Sequence, residues 1–259
     1  MIWRAGLAAW LSSLALAWAG AACAAAAPPG PFGDWAAVVV AGDWHGHSGA
    51  ATEAFDNARR DVSKALVGAG FDAANLHQFS VRPRRYKDAR PLKSDIEGIH
   101  DALAQASAKA RGGCLVYFTS HGAPRGILVG DRVLGPSTLA SMIDEACGER
   151  PTVVVLSACF SGVFVKELAL PNRMILTAAR QDRASFGCGE ADLYPYFDEC
   201  FLGAFPKARD FAALGPAVQA CVAAREIEED ARPPSEPQLW IGPKLRPLLG
   251  LYPFPRRSP

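Results

Sequence analysis

Four short runs rich in valine and leucine constrain this chain's fold more than any other feature. They lie at 36–41 (AAVVVA), 114–119 (CLVYFT), 151–157 (PTVVVLS) and 173–178 (RMILTA). None alternates polar with apolar residues, so each reads as a strand buried on both faces. Between and after them, helical spacing recurs. In 53–67, Phe55, Val62, Leu66 and Val67 fall on one face; in 95–110, Ile96, Ile99 and Leu103 do. Helices are also expected at 136–146 and 216–229, and a last short strand at 238–241. Buried strands alternating with helices predict an α/β domain, with a mostly parallel sheet flanked by helices on both sides. The basic, proline-bearing stretch 82–93 reads as a solvated loop, open to an acidic partner or to cleavage.

The front of the chain has the pattern of a secretory signal. Arg4 precedes an apolar core from 7 to 18, broken only by Ser12 and Ser13, and then the small-residue run AGAACAAAA. The expected layout is a signal peptide over 1–26, a linker over 27–34, one domain over 35–242 and a Pro-rich tail over 243–259. Export to the periplasm or beyond follows from it. Membrane attachment follows only if the segment stays uncleaved or Cys23 carries a lipid. Of seven cysteines, Cys114, Cys147, Cys159, Cys188, Cys200 and Cys221 follow the signal, and export permits disulfides among them. With Cys159 kept free, at least one other stays unpaired; Cys188 and Cys200, flanking a loop-like stretch, are the preferred pair. Lys plus Arg is 27 and Asp plus Glu is 26, which leaves no basic surplus for nucleic acid.

In open parallel sheets the chemistry gathers beyond the carboxyl ends of strands. Three such ends carry polar groups: Asp43 with His45 and His47, Ser120-His121-Gly122, and Ser157-Ala158-Cys159. If the second and third strands are neighbours, Cys159 and His121 emerge on one edge. A cysteine needs a base or positive neighbour to become a thiolate near neutral pH, and histidine supplies one. Gly122 lets a backbone N–H approach a developing oxyanion, with the Cys159 N–H as second donor.

The run Tyr117-Phe118-Thr119-Ser120-His121-Gly122, followed by Gly126-Ile127-Leu128, resembles the histidine motif of the legumain family of cysteine peptidases (peptidase family C13). Leu156-Ser157-Ala158-Cys159-Phe160-Ser161-Gly162 is similar to that family's nucleophile motif, with glycine three residues after the cysteine. Thr177-Ala178-Ala179 and Ser185-Phe186-Gly187-Cys188 look like its pocket loop, and 35–42 like its opening strand. The resemblance implies a caspase–hemoglobinase fold and an endopeptidase acting on peptides or proteins. It also implies a dyad of Cys159 and His121 that works without metal or organic cofactor. Ser157, Ser185, Asp43 and His45 are the expected substrate-binding positions. The sequence departs from the family where its pocket carries an Arg-His pair, which falls on Ala50 and Ala51. It departs again two residues before the nucleophile, where Ser157 replaces an acid. With Asp192, Asp198 and Glu199 nearby as a polar wall, Asn or a basic residue is expected before the cut, rather than Asp.

Three other readings stand beside this one. The family includes transamidases using the same dyad. The same fold without chemistry would be a peptide-binding module. His45 and His47, with His77 or His100, would suit a metal hydrolase.

Overall fold

The computed structural model describes residues 1, 2 and 30–255. Most of the expected signal peptide, its expected end and Cys23 lie outside the described residues. In chain order the elements are β1 (Trp35–Ala41), α1 (Ala54–Gly68), β2 (Leu76–Ser80), β3 (Leu92–Lys93), α2 (Ile96–Lys109), β4 (Gly113–Thr119), β5 (Gly122–Ala123), β6 (Gly126–Val129), β7 (Arg132–Leu134), α3 (Pro136–Cys147), β8 (Thr152–Ser157), α4 (Val165–Leu168), β9 (Arg173–Thr177), α5 (Tyr196–Ala204), α6 (Phe211–Glu228) and β10 (Gln238–Ile241).

Seven strands form one sheet in the order β10-β9-β8-β4-β1-β2-β3. All neighbours run parallel except β10, which is antiparallel to β9. The four apolar runs are the four central strands, and every residue of β1, β4, β8 and β9 is buried. Alternate side chains enter two separate cores. Ala37, Val39, Leu115, Tyr117, Val153 and Val155 pack under α1, α5 and α6. Val38, Val40, Val116, Phe118, Val154 and Leu156 pack under α2, α3 and α4.

Local chemistry sets the helix ends. The Asp95 carboxylate accepts the Gly98 N–H at 2.7 Å and starts α2; Asp210 accepts the Ala213 N–H at 2.8 Å and starts α6. Helix α6 therefore begins five residues ahead of its expected start. Pro216, read as a first-turn residue, lies inside it. Val67, assigned to the inner face of α1, is exposed.

The packed unit also reaches beyond 35–242. Phe32, in the expected linker, is fully buried and stacks on Phe71 at 4.7 Å between ring centres. Leu245, Leu249 and Phe254, in the expected tail, join the core under α1, α5 and α6. In the basic stretch, Arg82 lies over the Trp44 ring and Tyr86 donates to Glu53 at 2.5 Å, so the loop's first half is fastened down.

Disulfides join Cys114 to Cys147 and Cys200 to Cys221, which corrects the expected Cys188–Cys200 pair. Only the four residues before Cys200 are helical; the rest of the stretch from Cys188 is loop. Helix α5 turns Cys200 toward α6, with its Cα 5.6 Å from that of Cys221. Cys159 and Cys188 are free.

Candidate active site

Strands β4 and β8 are neighbours in the sheet, and their final rung pairs Thr119 with Ser157. His121 and Cys159 each follow two residues later, so the imidazole and thiol leave the same edge side by side. Ser120 fixes the first exit: its N–H donates to the Ser157 carbonyl at 3.0 Å, and its hydroxyl to the Leu128 carbonyl at 2.7 Å. The small β5-β6-β7 sheet then folds back, with the Leu128 N–H bonded to the His121 carbonyl at 2.9 Å.

His121 is held on a second side as well. Its Nε2 lies 3.0 Å from the His45 carbonyl oxygen. A carbonyl only accepts, so Nε2 carries the hydrogen and Nδ1 is left to take a proton. The Phe55 ring meets the imidazole edge-on at 5.1 Å. Asp43 orders the loop that supplies this carbonyl. Its Oδ1 accepts from the Trp44 N–H at 2.6 Å and the His45 N–H at 3.2 Å, and lies 2.7 Å from the His45 Nδ1. Its Oδ2 lies 4.0 Å from the His121 Nε2. Asp43 is buried. Asp43 and His45 were expected to touch substrate; here both hold His121.

Cys159 is half-buried, and among the described residues its thiol hydrogen-bonds with Ser185. The Ser185 N–H donates to Sγ at 3.2 Å, and the thiol can donate to the Ser185 carbonyl at 3.5 Å. Ser185, expected in the pocket wall, therefore touches the Cys159 thiol itself. Thiol and imidazole share no hydrogen bond. Among the described residues no protein acceptor takes the Cys159 N–H. A Cβ on Gly122 would lie 2.1 Å from the Cys159 carbonyl oxygen, so only glycine lets these backbones meet.

The turn after Cys159 is strained. Phe160 has φ 57° and ψ 12°, a left-handed conformation that aromatic residues seldom adopt. Its N–H bonds the Arg183 carbonyl at 2.7 Å. Gly162 abuts the backbone of the same loop, since a Cβ there would meet the Gln181 nitrogen at 2.4 Å. These contacts tie the turn after Cys159 to 179–188. No sequence signal marks Phe160, because αL is unusual for its residue type.

Ser157 is buried and donates to Asp198 at 2.6 Å. Asp198 sits under the strand ends. Asp192 accepts the Gly189 N–H, and the exposed Glu199 lies 3.8 Å from Arg225. Cys188 has its thiol pKa pushed up to about 11 by burial and by nearby Cys159. His77 on β2 and His100 on α2 do not converge on His45 and His47. Among the described residues no three His, Cys, Asp or Glu side chains gather as metal ligands. A cleft of about 330 Å³ adjoins the histidine side and is lined by Asp43, Trp44, His45, Lys93, Asp95 and Asp131, among others.

A seven-stranded, mostly parallel sheet with helices on both faces, and a thiol beside an imidazole at its carboxyl edge, is the caspase-like class of α/β protein. Caspase-1 from Spodoptera frugiperda has this fold, with a TM-score of 0.58 and 16% identity over 82% of this chain and 88% of that one. Residues 99–215, which hold both strand ends, match the model of the Peptidase C13 family. The chain thus has a caspase-like fold, and its segment 99–215 is similar to the Peptidase C13 family of cysteine peptidases. No curated protein matches it in sequence.

Proposed function

We propose that the protein is an exported endopeptidase that cuts peptide bonds through Cys159 and His121 by way of an acyl-enzyme. The observation that carries this reading is the Thr119–Ser157 rung, which sets the two side chains at adjacent strand ends. As the Cys159 sulfur attacks the scissile carbonyl carbon, its proton passes to the His121 Nδ1. The carbonyl oxygen becomes an oxyanion facing the N–H groups of Cys159 and Gly122. When the C–N bond breaks, His121 gives its proton to the leaving amine. Water then attacks the thioester, His121 takes a proton from it, and the acid product leaves as the thiol re-forms. The peptide beyond the cut lies on the histidine side, toward the cleft beside His45.

Two disulfides support export, because they persist in oxidising compartments. No helix among the described residues is long and apolar enough to cross a membrane. For the residue before the cut, the acids of the 189–192 turn, Glu190 and Asp192, favour Asn or a basic side chain over Asp.

Cys159→Ala is expected to abolish hydrolysis of a peptide library while leaving the thermal midpoint near wild type. His121→Ala should lower turnover about a hundredfold or more, the usual worth of positioned acid–base catalysis. Comparable turnover by purified Cys159→Ala would refute the mechanism. A clear preference for Asp at pH 7 would refute the specificity.

A further inference from the structure

A carboxylate lies beneath the two strand ends that carry the thiol and imidazole. Asp198, in the first turn of α5, is fully buried. It accepts three hydroxyl hydrogen bonds, from Tyr117 at 2.5 Å, Thr119 at 2.9 Å and Ser157 at 2.6 Å. The last two end on the same oxygen, Oδ2. Thr119 and Ser157 are partners on the final rung of β4 and β8, each two residues ahead of His121 or Cys159. One oxygen thus bridges the exits of both strands.

No step of the hydrolysis uses this carboxylate, and it bonds neither His121 nor Cys159. Its place is nonetheless costly. Burying a carboxylate among apolar side chains is unfavourable, and desolvation pushes its pKa up to about 6 against the three hydroxyls that lower it. An apolar residue would fill the space under β4 and β8 without that cost. What the carboxylate adds is a rigid, two-strand anchor. The helix carrying it is itself fastened, because Cys200, two residues on, is bonded to Cys221 on α6.

We propose that Asp198 is a positioning residue that sets the separation of Cys159 and His121 by holding the Ser157 and Thr119 hydroxyls. This rests on the dyad reading above. The carboxylate acts through the strand ends, so its loss changes how well thiol and imidazole are placed, and leaves peptide binding alone.

Three variants of the full chain test it: Asp198→Ala, Asp198→Asn, and Ser157→Ala combined with Thr119→Val. Each is measured for kcat and KM per titrated active site, and for the rate at which iodoacetamide alkylates Cys159. Asp198→Ala is expected to lower kcat about tenfold to a hundredfold, as sub-ångström misplacement does. KM should stay within about twofold, since ground-state binding is untouched. Alkylation should slow as well. Asn keeps a carbonyl acceptor for the hydroxyls and should recover part of kcat.

Should Asp198→Ala not fold, the double variant removes both strand-end hydroxyls and must give the same kcat-selective loss. Unchanged kcat overturns the proposal. So does an effect confined to KM or to the preferred residue before the cut, which would make Asp198 part of the specificity pocket. If the wild type proves inactive on peptides, the peptidase reading fails separately, and the alkylation rates still decide the role of Asp198.

Discussion

At Gly122 a methyl group would lie 2.1 Å from the Cys159 carbonyl oxygen and 3.0 Å from the Ala158 Cβ. Backbone cannot yield as a flexible side chain can, so the β5 turn would have to move away from the nucleophile. Gly122→Ala should therefore cost about 1–3 kcal/mol, the range for overpacking. It should also remove most turnover by withdrawing the proposed oxyanion donor, worth about a hundredfold or more. Urea unfolding and steady-state kinetics check the two effects separately. Asp43 makes a complementary case: it acts on His121 through the loop that carries the His45 carbonyl, with its own Oδ2 4.0 Å from the imidazole. Asp43→Ala should lower kcat with little change in KM, because it frees the loop that fixes the imidazole. A rise confined to KM would return Asp43 to the substrate-binding role expected from sequence.

Among the elements, α5 joins chemistry to architecture. Burial raises the Asp198 pKa from an ordinary 3.8 to about 6. The folded protein then binds this proton more tightly than the unfolded chain does. The resulting stabilisation is fully present below about pH 4 and is lost as pH rises through about 6, for a total of about 3 kcal/mol. Urea midpoints of wild type minus Asp198→Asn, taken from pH 4 to 7, should fall with rising pH; a flat difference would contradict it. The same helix marks where sequence reading stopped. β1, β4, β8 and β9 were legible because strands buried on both faces must be apolar throughout. Helix α5 (YFDECFLGA) is short and has a carboxylate facing inward, so hydrophobic spacing concealed it. Strand β2 (LHQFS) carries too few apolar residues to register. Cys159 and His121 were legible as a pair because strand ends expose them. Three other roles were not: Ser185 at the sulfur, the His45 carbonyl at the imidazole and Asp198 under both. Each depends on contacts between segments far apart in the chain.

In the molecule as a whole, the sheet separates two cores, and each holds one covalent crosslink. Cys114–Cys147 ties β4 to α3 on one side, and Cys200–Cys221 ties α5 to α6 on the other. Each closes a loop, of 33 or 21 residues by sequence separation, which constrains the unfolded chain. Removing either should cost about 2–4 kcal/mol. Paired cysteine-to-alanine variants, compared by thermal unfolding, measure it. Cys114 and Cys147 are almost fully buried, whereas Cys221 is exposed, so a reductant reaches the α5–α6 link first.

That order of attack governs how the protein can be handled at the bench. A thiol enzyme is ordinarily kept awake with dithiothreitol, yet here the waking agent also undoes the seam behind Asp198. Activity plotted against dithiothreitol should climb while Cys159 is being freed of oxidation. It should then sag once Cys200 and Cys221 part, before any global unfolding registers. A dose curve that rises to a plateau and stays there would mean the seam plays no part in keeping the dyad aligned.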